Sequence, residues 1–165
     1  MSGPRSAQIA RLLLAAMLVA GSACSSFDGR WRAAENPATA QGATRWDGRW
    51  TSEKHKKQGG VAEGGRLRCV LGEVATNCFP SGQSMKPGRA LRADFRANWL
   101  LFTSDYTMTL TPVKGSRTEF VGSHDLPAIF GGTYRYTARI AGDRFTARYE
   151  SSYDRGLFEL SRIRP

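Results

Sequence analysis

Several kinds of chemistry have no foothold in this chain of 165 residues. It holds two histidines and three cysteines, none at zinc-ligand spacing, and it has no Gly-x-Ser-x-Gly elbow. No catalytic residue, metal or cofactor is assigned, and an enzyme is not expected. Three cysteines are also too few for a miniprotein built on disulfides. No apolar run reaches the 18 or so residues of a membrane-spanning helix, and from Trp46 onward no segment carries a convincing amphipathic helical period. Acidic residues are scarce beside basic ones, 14 Asp and Glu against 24 Lys and Arg, which leaves a net charge of +10. Such a balance favours anionic surfaces without specifying a reaction. With 41% apolar and 23% charged residues, one ordinary globular domain is expected.

The first residues do not belong to that domain. Arg5 and Arg11 precede the apolar stretch Leu12–Ala20, and the small residues Gly21, Ser22 and Ala23 lead to Cys24, the pattern of an export signal. Gly-Ser-Ala-Cys resembles the lipobox of bacterial lipoproteins. That resemblance implies cleavage of residues 1–23 as a signal peptide and acylation of Cys24. A membrane partner then enters through the lipid anchor, where each buried CH₂ contributes about 0.8 kcal/mol. Ser25 rather than Asp after the cysteine implies sorting to the periplasmic face of the outer membrane of the bacterial cell envelope. An ordinary cleaved signal with Cys24 incidental is the other reading, since Gly21 stands where a large aliphatic residue is commoner. Removing Arg5 and Arg11 leaves 22 basic against 14 acidic residues, a net charge of +8. Residues 24–45 are rich in Ala, Ser, Thr, Asn, Pro and Gly and read as a flexible tether. Asp28-Gly29-Arg30-Trp31 recurs as Asp47-Gly48-Arg49-Trp50, a repeat too short to indicate duplication.

From Trp46 to the end, apolar residues alternate with polar ones between Gly, Pro and Asp punctuation, as in half-buried antiparallel strands. Leu67, Cys69 and Leu71 share a face. So do Leu91, Ala93, Phe95 and Ala97, then Tyr106, Met108 and Leu110, then Tyr134, Tyr136, Ala138 and Ile140, and finally Phe145, Ala147 and Tyr149. Ala141-Gly142-Asp143-Arg144 suits a tight hairpin turn, and Tyr153-Asp154-Arg155-Gly156 offers another before Leu157–Ile163. Weaker strands near 49–52, 100–102 and 119–123 bring the number to about eight. This predicts an all-β domain over residues 46–165, a single antiparallel up-and-down barrel without unpaired edges, with a two-sheet sandwich as the alternative.

Gly48-Arg49-Trp50 ahead of the first strand and Arg162 late in the last resemble the calycin (lipocalin-like) arrangement. There a first-strand Trp is covered by a late basic residue, a cation–π contact of about 0.5–2 kcal/mol. The domain also resembles a family of small bacterial envelope proteins without known activity. The shared elements are Gly48–Trp50, Leu67-Arg68-Cys69, Asp125-Leu126, Gly131-Gly132-Thr133-Tyr134-Arg135-Tyr136 and Tyr153-Asp154-Arg155-Gly156-Leu157-Phe158. That family's pattern places a second cysteine just before the Tyr-Asp pair, where this chain has Ser151 and Ser152, so any bridge from Cys69 must be formed differently here.

In an oxidising compartment Cys69 and Cys78 either pair, stabilising the domain by roughly 2–3 kcal/mol, or stay as buried thiols. His55 lies among lysines that would repel a metal cation. Ser123, His124 and Asp125 cannot form one relay, because consecutive strand residues face opposite sides. Barrels of eight strands either fill with their own side chains or hold one small ligand, so the aromatic face is core or pocket wall. Tyrosine hydroxyls that need partners favour a pocket. The ligand-binding set expected is Tyr134, Tyr136, Phe145 and Tyr149, with Lys54, His55 and Lys56 at a rim loop and a small amphiphile as the ligand. Outward-facing Arg66, Arg68, Arg92, Arg96, Arg135, Arg139 and Arg148 support a second reading, a structural lipoprotein contacting anionic lipid or cell-wall polymer. Nucleic acid is not expected as a partner. A basic target such as lysozyme is disfavoured by like charge.

Overall fold

A computed structural model describes residues 26–56, 62–74, 90–98 and 103–164. Eight strands follow one another: β1 (Thr44–Lys56), β2 (Ala62–Glu73), β3 (Leu91–Asn98), β4 (Thr103–Pro112), β5 (Glu119–Asp125), β6 (Thr133–Ala141), β7 (Arg144–Glu150) and β8 (Arg155–Ile163). Each pairs antiparallel with its successor, and β8 closes on β1 from Arg45↔Ile163 to Ser52↔Gly156. The domain is therefore a closed up-and-down barrel and not a sandwich. Closure leaves no free edge to template association.

Period-two alternation sorts the side chains. Phe145, Ala147 and Tyr149 of β7 are buried while Arg144, Arg148 and Glu150 face solvent. The first hairpin turn is as expected: Ala141 pairs with Arg144, and Gly142 takes φ +59°, a left-handed conformation that glycine adopts without a Cβ penalty. The second turn sits two residues earlier than expected, because Arg155 already pairs with Glu150 and leaves Ser151–Asp154 as the loop. The segment 100–102 lies outside the described residues. The seam between β4 and β5 is the thinnest, with only Thr111↔Val121 and Pro112↔Phe120 in register.

Within residues 24–45, where composition reads a flexible tether, the described part begins with a helix and not a coil. Ser26 caps a short helix, α1 (Phe27–Ala33), its Oγ accepting from the Gly29 amide at 3.3 Å as N-cap serines do. Phe27 is 2% exposed. At seven residues the helix is too short to stand alone in water, so it depends on docking to the barrel's outer wall. The guanidinium of Arg96 lies 4.6 Å from the centre of the Phe27 ring, and that of Arg68 lies 5.3 Å from the centre of the Trp31 ring. Arg30 pairs with Asp94 at 2.8 Å, and Asp28 pairs with Arg96. Asp94 points outward yet is 3% exposed, because Arg30, Arg92 and the Thr107 hydroxyl surround it. The two Asp-Gly-Arg-Trp tetrapeptides take different structures, one in α1 and one in β1.

Candidate functional site

The barrel's two ends differ. At the end where β1, β3, β5 and β7 begin, large side chains fill the interior. Trp46 and Phe145 pack with ring centres 6.2 Å apart, Leu110 is fully buried, and Phe145 is 1% exposed. Phe95 lies at mid-height, 6.0 Å from Phe145 on one side and 5.7 Å from Phe158 on the other. Beyond Phe158, toward the opposite end, side chains stop meeting across the axis and leave a cavity of about 560 Å³. This is the volume of a small-molecule site.

Its wall is aromatic, with Trp50, Tyr106, Tyr134, Tyr136, Tyr149 and Phe158. Tyr149 lies 5.1 Å from Phe158 and 6.0 Å from Tyr134, and Tyr136 lies 5.7 Å from Phe158, measured between ring centres. Of the four residues expected inside, Tyr134, Tyr136 and Tyr149 therefore come together at the cavity. Phe145 does not: it belongs to the filled end, because Trp46 and Phe95 close the axis in front of it. His55 and Lys56 end β1 at the open rim, and their side chains lie outside the described residues. Lys54 holds its ammonium 5.7 Å from the centre of the Tyr153 ring.

The tyrosine hydroxyls find partners. Tyr149 donates to Asp154 Oδ2 at 2.9 Å and lies 3.2 Å from the Thr51 carbonyl. The other carboxylate oxygen of Asp154 accepts from the Ser52 hydroxyl at 2.7 Å and from the Arg155 amide at 2.8 Å. Asp154 is 6% exposed, a burial that a carboxylate tolerates when its lone pairs are satisfied. Burial first, then the charge and hydrogen bond of Asp154, push the Tyr149 hydroxyl well above its ordinary pKa. Burial does the same to Tyr136 and Tyr106, whose hydroxyls bond to each other. All three phenols are neutral across the physiological range.

Gly156 makes this arrangement sterically feasible. A Cβ there would stand 1.9 Å from the Thr51 carbonyl oxygen and 2.6 Å from the Tyr149 hydroxyl. The Tyr-Asp-x-Gly-x-Phe element thus sets a buried carboxylate, a gap for a phenol and an aromatic wall in six residues. Gly131, at φ +103°, brings the β5–β6 connection against this same wall, where a Cβ would come within 2.7 Å of Tyr153. That connection contributes Leu126, Pro127 and Ile129 to the mouth. Ile129 is 79% exposed and Tyr153 51%, so an apolar lip surrounds the opening.

Sequence reasoning missed His124. Phe120, Gly122 and His124 alternate on the inner face of β5, which puts the imidazole on the cavity wall, 5.2 Å from the Tyr106 ring. Burial lowers its pKa, opposed by a hydrogen bond with the Thr107 backbone. That bond ties β5 to β4 where their ladder has ended. The period of two that buries Phe120 is the signal that places His124 on the same inner face. Asp125 points outward and accepts from the Thr133 hydroxyl at 2.7 Å.

The calycin-like pair is not joined as expected. Register sets Trp50 opposite Phe158 and Arg162 opposite Trp46, four residues and roughly 13 Å along the strand. Trp50 Nε1 instead donates to the Asn98 carbonyl at 3.1 Å. Cys69 is a free thiol, 1% exposed in the barrel interior, and burial followed by the charge of Asp94 raises its pKa. Cys24 and Cys78 lie outside the described residues.

The arginine face is divided. Arg66 pairs with Asp47 at 2.8 Å, Arg92 with Asp94 at 3.1 Å and Arg148 with Glu53 at 2.9 Å, while Arg68 and Arg96 lie under α1. Arg135 and Arg139 make no ion pair among the described residues, although Arg135 stands opposite Glu150 and Arg139 opposite Glu119. Among the described residues no group of His, Cys, Asp and Glu could hold a metal ion, and no helix is long and apolar enough to cross a membrane.

No protein-family model matches this chain, and no curated protein or solved structure matches it significantly. The closed eight-stranded up-and-down barrel is consistent with a calycin-like fold.

Proposed function

We propose that this chain is a lipid-anchored, non-catalytic binding module of the bacterial cell envelope, whose barrel holds one small hydrophobic or amphiphilic molecule in its open end. The observation that carries the reading is the aromatic cavity of about 560 Å³ at one end of a barrel whose other end is packed. A protein that needed only a stable scaffold gains nothing from leaving that volume empty, since unfilled core volume is destabilising. The apolar lip of Leu126, Ile129 and Tyr153 suits entry of a molecule with an apolar body. Elements of the envelope-protein resemblance support the same reading, because Gly131, Tyr134, Tyr136, Asp154, Gly156 and Phe158 all meet at this end. The anchor rests on the lipobox at Cys24 and is tested separately: palmitate label enters the wild-type protein in a bacterial host and not the Cys24→Ala variant.

The binding test uses a neutral fluorescent probe, N-phenyl-1-naphthylamine, with wild type and Ala97→Trp. Ala97 lines the cavity, and an indole there occupies it. Saturable binding at one probe per chain, weakened at least tenfold by Ala97→Trp with the thermal midpoint retained, is expected. Binding that ignores the substitution overturns the reading. A second reading, contact with anionic envelope polymer, draws on Arg135 and Arg139. It requires vesicle or peptidoglycan binding that Arg135→Ala with Arg139→Ala abolishes.

A further inference from the structure

The charge of the cavity is opposite to that of the exterior. In a chain with 24 Lys and Arg, no described residue lining the cavity is Lys or Arg, and its two charged lining residues are Glu63 and Asp154. His124 also lines it, and burial disfavours the protonated form of that imidazole. Much of the remaining wall is aromatic, and aromatic rings carry a quadrupole whose negative side is the ring face. Tyr149 meets Phe158 at 5.1 Å and Tyr134 at 6.0 Å, while Tyr136 meets Phe158 at 5.7 Å. Four rings therefore cluster along one side of the cavity, close enough together for one ammonium group to lie within about 6 Å of several ring centres. The hydrogen bond from Tyr149 to the buried Asp154 carboxylate pushes electron density into the ring and strengthens that face. The mouth already carries one such contact, the Lys54 ammonium over Tyr153.

From these observations we infer that the open end selects an amphiphile whose polar group is an organic cation, an amine or quaternary ammonium, seated among Tyr134, Tyr136, Tyr149 and Phe158 with Asp154 as counter-charge. This inference rests on the ligand-holding reading above and names the ligand class for that site. Asp154 also has a structural role, since it caps the β7–β8 turn through the Arg155 amide. The cage needs both functions from the one carboxylate. An anionic headgroup held by the rim lysines is the competing arrangement, and it predicts the reverse order of affinities.

The test compares three probes of equal chain length by calorimetry on wild type and Ala97→Trp: dodecyltrimethylammonium and dodecyl sulfate below their micellar concentrations, and dodecanol below its solubility limit. Only the part of each signal that Ala97→Trp removes counts, because dodecyl sulfate will also bind the basic exterior. The expected order is cation, then alcohol, then sulfate, with the cation at least tenfold tighter than the alcohol. Asp154→Asn should bring cation and alcohol within about twofold of each other. Because that variant loses a turn cap, Tyr134→Leu at the half-buried edge of the cage serves as the second: it should weaken the cation at least fivefold and the alcohol less than twofold. Equal or tighter cavity binding of alcohol or sulfate overturns the cation inference and leaves the ligand-holding reading standing. If none of the three binds in an Ala97→Trp-sensitive way, both fall.

Discussion

Aromatic residues serve opposite purposes at the two ends of this barrel. At one end Trp46, Phe95 and Phe145 meet across the axis and exclude space. At the other, Tyr134, Tyr136 and Tyr149 stay against the wall, and their hydroxyls are held by Ser151, by Tyr106 and by Asp154 respectively. Between the tyrosines and the two phenylalanines the polar handle differs: a phenol tied by its oxygen keeps its ring at the perimeter, whereas Phe95 and Phe145 have no such tether and meet across the axis. Eight strands give a diameter at which either outcome is feasible, and side-chain chemistry decides between them.

If that contrast is right, truncation must be costly at one end and cheap at the other. Phe145→Ala leaves a hole in a packed interior and should lower stability by about 3–5 kcal/mol, while Tyr134→Ala borders an existing space and should cost less than about 1 kcal/mol; urea unfolding of both variants checks this. Equal losses would erase the distinction between the ends. Gly156→Ala comes next. Its Cβ meets the Thr51 carbonyl oxygen at 1.9 Å, and relief requires moving either backbone or Tyr149. A loss of about 1–3 kcal/mol is expected, together with weaker probe binding, because the open end rather than the packed end is disturbed.

A smaller effect concerns the outer wall. Phe27→Ala removes the ring against which Arg68 and Arg96 rest. A cost of about 1–2 kcal/mol is expected from the two cation–π contacts. Hydrogen exchange should report loss of protection confined to Phe27–Ala33, with the barrel strands unchanged. Protection lost in β2 and β3 as well would mean that α1 is part of the barrel's cooperative unit. The smallest effect is the titration of His124. Its folded pKa lies below the ordinary value of 6.5, first through burial, so the unfolded chain takes up the proton first as pH falls. The unfolded state then binds more protons, and stability declines as pH drops from about 6.5 to the folded pKa, below which this group adds no further change. His124→Gln should flatten stability between pH 7 and 5 relative to wild type, and an unchanged slope would remove His124 from the account.

The wall of the barrel was legible in sequence because period two is a local signal: Phe145, Ala147 and Tyr149 announce their shared face within five residues. Closure followed from the number of strands and the need to hide edges. What lies across the axis was not legible, since Trp46, Phe95 and Phe145 are far apart in the chain and meet only through the barrel's register. Pattern alone therefore places Phe145 at the cavity and sets Arg162 over Trp50, which stands four residues along the strand from it. The helix was hidden for a related reason. Phe27 and Trp31 make one apolar ridge of a single turn, and their docking surface consists of arginines on β2 and β3 that read as a solvated face. His124 was within reach of the same alternation that placed Phe120.

Trp46 and Trp50, the two interior tryptophans among the described residues, one at each end, offer the most direct test of the central claim. In a background with Trp31→Phe and Trp99→Phe, Trp46→Phe leaves Trp50 as reporter of the open end, and Trp50→Phe leaves Trp46 as reporter of the packed one. A bromine-bearing alkyl alcohol quenches indole fluorescence only at contact. Saturable quenching of Trp50 with little change at Trp46 is the result predicted here; equal quenching of both, or quenching of Trp46 alone, would contradict a barrel filled at one end and hollow at the other.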